Sequence, residues 1–174
     1  SVTNVYKNLK WDGWSWTDGK GGIIAQDWMH ASADASDAHE IQICLEYVVP
    51  KNGQITLSMF GGKIIAGPDS ENGVRFAIWK NIDPIIGYTD LQAGEVYDFV
   101  PQKFSVEKGD ILRFLLMPIS GNNAGDSLTM LPIIAYAQGS DHTEHTWGEE
   151  WVSNETHHWH ECSEGCEMDM RRLA

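Results

Sequence analysis

The sequence predicts an all-β chain: an antiparallel β-sandwich of the jelly-roll type followed by a short irregular C-terminal tail. Three observations predict it. Short segments alternate apolar and polar side chains, the pattern of a half-buried strand. Turn signals built from Gly, Pro, Asn and Asp recur about every 8–12 residues, the spacing of sandwich strands. No segment sustains the period of about 3.6 residues that an amphipathic helix requires. Nine or ten strands are expected, and an up-and-down barrel is the second choice.

Residues 2–9 are a candidate first strand. Residues 10–22, KWDGWSWTDGKGG, place Asp-Gly and Gly-Gly turn signals on both sides of an aromatic triplet. Regular alternation puts Trp14 and Trp16 on one face and Trp11 on the other. Residues 23–29 read as a short apolar strand, with Trp28 assigned to the core beside Ile23, Ile24 and Met29. Residues 31–38 are small and polar and read as a loop.

The clearest long strand is 39–49. There Ile41, Ile43, Leu45, Tyr47 and Val49 alternate with Gln42, Cys44, Glu46 and Val48. Cys44 reads as a buried, inert thiol. The Pro50-Lys51-Asn52-Gly53 turn leads to a strand at 54–60 with Ile55, Leu57 and Met59 inward. Gly61-Gly62 breaks it before a short continuation at 63–66, and GPDSEN at 67–72 is a loop. Residues 73–81, GVRFAIWKN, put Val74, Phe76 and Ile78 toward a core and Arg75, Ala77 and Trp79 on the opposite face.

Residues 82–94 are mixed, with Pro84, Gly87 and Gly94 as breakers. A strand at 95–100 ends at Pro101. Residues 104–107 lead into the Lys108-Gly109-Asp110 turn. Residues 111–117 form a nearly continuous apolar run, as in a strand buried on both faces. SGNNAGD at 120–126 is a loop, and 127–138 closes the domain, with Pro132 expected at an edge or a bulge.

Composition divides the chain into a sandwich at 1–138 and a tail at 139–174. The 174 residues carry a formal net charge of −13. Residues 1–138 hold 16 acidic and 10 basic side chains, whereas residues 139–174 hold 9 acidic and 2 basic. This balance disfavours nucleic acid and anionic membrane surfaces, which need clustered Lys or Arg. No apolar run is long enough for a membrane-spanning helix. The tail is rich in His, Glu and Trp and poor in aliphatic residues, so it cannot build its own apolar core. The finish at Arg171–Ala174 gives the expectation of a piece of a larger protein.

Catalysis has no positive sign in residues 1–138. Its two histidines, His30 and His39, accompany no nucleophile motif, phosphate loop or dinucleotide fingerprint. Most of its acidic residues sit in turns, where Asp serves its own backbone. The anomaly is tryptophan, of which there are eight, five of them before residue 139.

Exposed aromatic rings suit sugars, because the ring takes the C–H face while Asp, Asn or Arg takes the neighbouring hydroxyls. The candidate platforms are Trp11, Trp14, Trp16, Trp79 and Tyr88. The candidate polar partners are Arg75, Asp12, Asp18, Asn122, Asn123 and Asp126. For each ring alone, packing is the simpler reading, and for each polar group, turn chemistry is.

Three segments carry a resemblance: GVRFAIWKN, VEKGDILRFLLMP and NNAGDSLTMLPIIAYA. Arg75, Ile78, Lys80 and Asn81, then Gly109, Asp110, Leu112, Arg113 and Phe114, then Asn122, Asp126, Pro132, Ile134 and Tyr136 resemble β-sandwich modules attached to bacterial polysaccharide-active enzymes. The resemblance covers about residues 40–137. Leu131 replaces the Trp that those modules carry before the Pro; if that Trp touches ligand in them, this chain binds differently or relies on Trp11–Trp16. The matched residues read mainly as scaffold, so the resemblance implies the fold more strongly than the sugar.

The tail, HTEHTWGEEWVSNETHHWHECSEGCE, is similar to His-, Trp- and Cys-rich repeats of Gram-positive secreted and surface proteins. Cys162 and Cys166 with His145, His158 or His160 are candidate zinc ligands. A Cys162–Cys166 disulfide and a disordered tail with free thiols are the other two readings.

The expectation is a non-catalytic module that binds a polysaccharide or glycan, without nucleic acid or membrane insertion. It would be covalently linked to other modules of a secreted or cell-surface bacterial protein. No cofactor is required. Structural calcium and tail zinc remain open, although no loop has EF-hand spacing. A structural or adhesive spacer is the first alternative, and a small polysaccharide hydrolase or lyase the second.

Overall fold

The computed structural model describes residues 8–32, 43–119, 123–137, 147–153 and 158–162. The strand expected at residues 2–9 lies almost wholly outside them, as do His39 and Asn122. The chain divides into two compact units, Ser1–Tyr136 and Ala137–Ala174.

In chain order the first unit runs β1 (Lys10–Trp11), β2 (Trp16–Thr17), β3 (Ile23–Ile24), β4 (Met29–His30), β5 (Ile43–Val48), β6 (Gly53–Met59) and β7 (Lys63–Ala66). It continues with β8 (Val74–Lys80), β9 (Asp83–Leu91), β10 (Val96–Asp98), β11 (Gln102–Val106), β12 (Ile111–Pro118), β13 (Ser127–Thr129) and β14 (Pro132–Tyr136). The architecture is an antiparallel β-sandwich. One sheet has the order β5-β12-β8-β9, a second β1-β2-β3-β4-β13-β7-β10, and a third, of three strands, β11-β6-β14.

The alternation read in the sequence closes the core. Val74, Phe76 and Ile78 of β8, with Leu112, Phe114 and Leu116 of β12, are buried in one cluster with Ile55 and Leu57 of β6, Ile64 of β7 and Leu128 of β13. Phe76 meets Tyr97 of β10 edge to face, with centroids 5.3 Å apart. Each large apolar side chain taken out of water here contributes about 1.5–3 kcal/mol. Leu115 and Met117, on the opposite face of β12, are buried as well, so this strand is covered on both sides.

Two differences from expectation have clear causes. Residues 83–91, interrupted by Pro84 and Gly87, form the nine-residue strand β9 rather than a mixed segment. β9 lies at the sheet edge, and its pairing with β8 shifts register between Phe76 and Trp79. An edge strand bonds on one side only and absorbs a proline that an interior strand would reject. Pro132 likewise falls on the edge strand β14.

The second difference is the tail, which contains a two-stranded antiparallel hairpin, β15 (Trp147–Ser153) and β16 (His158–Cys162), where an irregular segment was expected.

Four of the residues that carry the resemblance, Lys80, Asn81, Asp110 and Arg113, form a clamp at the ends of β8 and β12. Asn81 adopts a left-handed φ of 54°. Its side-chain amide donates to Asp110 Oδ1 at 2.8 Å, and its Oδ1 accepts from the Ile111 N–H at 2.9 Å. Arg113 Nη1 donates to the Asn81 carbonyl at 2.7 Å, and Lys80 Nζ lies 3.0 Å from Asp110 Oδ2. The Glu107 N–H, then the Asn81 amide and Lys80, hold the Asp110 carboxyl at a pKa of about 2. Asn tolerates the left-handed region because its short polar side chain bonds locally. These residues are scaffold.

Candidate functional site

The aromatic segment forms its own small meander at one edge of the seven-stranded sheet. Residues directly opposite in antiparallel strands share a face. One such row runs Trp11–Trp16–Ile24–Met29–Leu128–Ala66 across β1, β2, β3, β4, β13 and β7. Exposure falls along it. Trp11 is 56% and Trp16 50% exposed, Ile24 is half-buried, Met29 is 2% exposed, and Leu128 and Ala66 are fully buried. The row is the core face of the sheet, and at β1 and β2 it emerges into solvent. Two tryptophan rings stand there, 5.7 Å apart and inclined at 55°.

This arrangement corrects the expected faces. Trp11 pairs with Trp16, and Trp14 does not. The Asp12 carboxylate is the cause. Its Oδ1 accepts from the Trp14 N–H at 2.8 Å and the Ser15 N–H at 2.7 Å, and the Asp12 N–H donates to the Ser15 carbonyl at 3.1 Å. These bonds fold residues 12–15 into a tight turn, so strand alternation does not run through it. The Ser15 N–H first, then that of Trp14, lowers the Asp12 pKa.

Trp14 stands on the turn, 64% exposed, with its ring 5.9 Å from Trp28. Trp28 in turn meets His30 edge-on at 6.2 Å. His30 alternates with the buried Met29, so it lies on the outer face of the meander. Trp28 is therefore half-buried beneath Trp14 and not a core residue as expected. The meander presents aromatic surface on both sides.

The second turn rests on Asp18. Its Oδ1 accepts from the Lys20 and Gly22 N–H groups at 2.7 and 2.9 Å, and its Oδ2 from Ser32 Oγ at 2.6 Å. A Cβ on Gly22 would stand 2.5 Å from Ile43 Cδ1 and 2.6 Å from Asp18 Oδ2. Any larger residue there would have to displace the Ile43 tip and the Asp18 carboxylate that holds the turn.

Trp79 and Tyr88 form a separate aromatic group on the outer face of β8 and β9, with ring centroids 5.9 Å apart. Trp79 is half-buried, opposite Arg113 on one side and Pro84 on the other, and its Nε1 is buried without a hydrogen-bond partner. Tyr88 is 53% exposed. Arg75, on the same strand face as Trp79, is engaged twice by Asp90, Nε to Oδ1 at 2.5 Å and Nη2 to Oδ2 at 2.7 Å. Arg113 Nε is held by Glu46 Oε1 at 2.7 Å.

The predicted polar partners among the described residues serve the protein itself. Asp12 and Asp18 shape turns, and Arg75 is paired. Asn123 Nδ2 donates to the Ala31 carbonyl at 2.9 Å. Asp126 is fully buried, and its Oδ1 accepts from Ser70 Oγ at 2.5 Å. Burial raises its pKa, with Ser70 and His30 opposing. Asp126 is thus not presented to a surface ligand. Gln26 and Asp27, which the sequence reading did not single out, are exposed in the turn immediately before Trp28.

Cys44 is half-buried and free, and burial first, then the Glu46 charge, pushes its pKa up to about 12. The thiol is thus less buried than the sequence suggested. Among the described side chains no group of three His, Cys, Asp or Glu is placed to hold a metal. Cys166 lies outside the described residues, and His158, His160 and Cys162 are described by backbone placement. No helix among the described residues is long and apolar enough to cross a membrane. No protein-family model and no curated protein matches the chain.

Proposed function

We propose that the chain is a non-catalytic carbohydrate-binding module of a secreted, multimodular bacterial protein, and that it holds a polysaccharide or glycan on the tryptophans of the β1–β4 meander. The observation that carries this reading is the Trp11–Trp16 pair, exposed at the end of an otherwise buried row. Two rings of 50% exposure or more at the edge of a sheet offer flat apolar area that a spacer domain has no reason to keep in water. Trp14, packed on Trp28, extends that surface around the turn. Hydroxyl recognition falls to exposed groups of the meander such as Gln26 and Asp27, since the other acidic side chains of the segment are committed to its turns. The acidic balance favours neutral sugars over polyanions.

Affinity electrophoresis against plant and host polysaccharides, with a glycan array, tests the reading. Stacking on one aromatic ring contributes about 1–3 kcal/mol, by analogy with nucleobases. Trp16→Ala is therefore expected to weaken binding roughly 5- to 150-fold. Folded wild type that binds no glycan refutes the proposal.

A further inference from the structure

Trp11 and Trp16 are a cross-strand pair on one face of the sheet, yet their ring planes are inclined at 55°. With centroids 5.7 Å apart the rings are in contact, so each limits the rotation of the other. Part of the angle comes from the twist between neighbouring strands, which is larger in short two-stranded ribbons. The ring quadrupoles favour the tilt as well, because rings laid side by side in one plane would bring their positive edges together. Trp14 and Trp28, at the other side of the Asp12 turn, are inclined at 53°. Each of these aromatic pairs is a corner and not a platform.

We infer, on the footing that this edge binds glycan, that its ligand is a single neutral chain that coils, as α-1,4- and β-1,3-linked glucans do, and not the flat face of a crystalline polysaccharide. A plane laid against one ring of the pair meets the other at 55° and touches only its edge. Cellulose and chitin crystals, built from extended β-1,4-linked ribbons, present such a plane. They gain one stacking contact where coplanar rings would give two. Successive sugars gain both contacts only where the linkage turns one C–H face relative to the next by a similar angle. Linkages that turn the chain in the same sense at every unit do this, and the same turning makes the free chain coil. Trp11 lies on the last strand of its sheet, so a chain bending away past it meets no further strand. The formal charge of −13 favours an uncharged chain over a polyuronate.

The test compares solids with soluble chains on the full protein. Depletion by microcrystalline cellulose and by chitin is measured beside affinity electrophoresis in soluble starch, laminarin and hydroxyethylcellulose, with a glycan array alongside. Retardation by starch or laminarin is expected, with no depletion by the solids. Trp11→Ala and Trp16→Ala should each weaken binding to the retarding glucan by roughly 5- to 150-fold, because each ring stacks on a different sugar. A planar ligand would use one ring, and one of the two substitutions would then leave affinity unchanged. Depletion by the crystalline solids, affinity that one of the two substitutions leaves intact, or binding confined to extended β-1,4-linked chains or to terminal sugars overturns the assigned shape and leaves glycan binding standing. Folded wild type that binds no glycan in any format removes both.

Discussion

The Trp11–Trp16 edge and the Trp79–Tyr88 face each show a tilted aromatic pair, at 5.7 and 5.9 Å. They differ in what surrounds the rings. Trp79 sits in the interior of a sheet, flanked by Arg113 and Pro84, with its Nε1 buried. Neighbouring arginines are already bonded to Asp90 and Glu46. Trp11 and Trp16 sit on strands of two residues, beyond the last strand that carries a buried row member. The comparison teaches that a tryptophan's availability is decided by the lateral extent of its sheet, and by whether flanking strands supply cover. It is not decided by whether the ring faces the core side.

The largest effect should come from removing both rings of the edge. Trp11→Ala with Trp16→Ala is expected to abolish measurable retardation in affinity electrophoresis and to leave the thermal midpoint nearly unchanged, because both rings are mostly in water. A large fall in midpoint would make the edge structural and erase the contrast between the two regions.

Asn81→Ala strikes the scaffold that ends β8. Two side-chain hydrogen bonds and a left-handed residue suited to Asn are lost. A destabilisation of about 2–3 kcal/mol in denaturant titration is expected, with glycan affinity per folded molecule unchanged. This variant also carries a pH signature. Because the Asp110 pKa is depressed when folded, its contribution to stability is complete above the ordinary value of 3.8 and lost as pH falls through about 2. Removing the Asn81 donor lifts that pKa, so the acid-dependent part of stability shrinks.

Trp79→Ala should cost about 1–2 kcal/mol, for partial burial of one large ring, and change glycan affinity little. An affinity loss equal to that of Trp16→Ala would merge the two regions into one site. The smallest effect belongs to Asp90→Asn, which breaks a partly exposed ion pair with Arg75. A change under about 1 kcal/mol is expected, and it should vanish in high salt.

Much of the sandwich could be read from the sequence because its central strands are uninterrupted. In residues 74–80 and 111–117, side-chain alternation and continuous apolarity map directly onto burial. β9 was obscured because Pro84 and Gly87 are costly inside a sheet but tolerated at its edge, and edge position is a property of topology. The pairing of Trp11 with Trp16 was hidden for a different reason. Alternation presumes a continuous strand, and the Asp12 turn restarts it. Asp126 looked like a loop residue in SGNNAGD, and nothing local signals that Ser70, 56 positions away, receives it in the interior. The pairing of β15 with β16 was likewise invisible in composition, since a segment short of aliphatic residues can still alternate Trp, Val and His.

The row shared by Trp11, Trp16, Ile24 and Met29 restricts how this edge can diversify. Inserting or deleting one residue inside a strand turns the side chains that follow it in that strand to the other face, so such a change before Trp16 in β2 withdraws its ring from the row, and one before Met29 in β4 expels Met29 from the core. Length changes are absorbed in the turns at residues 12–15 and 25–28, or by two residues at a time. Families of variants built on this scaffold should therefore differ in turn length and ring identity, while the strand lengths of the meander stay constant.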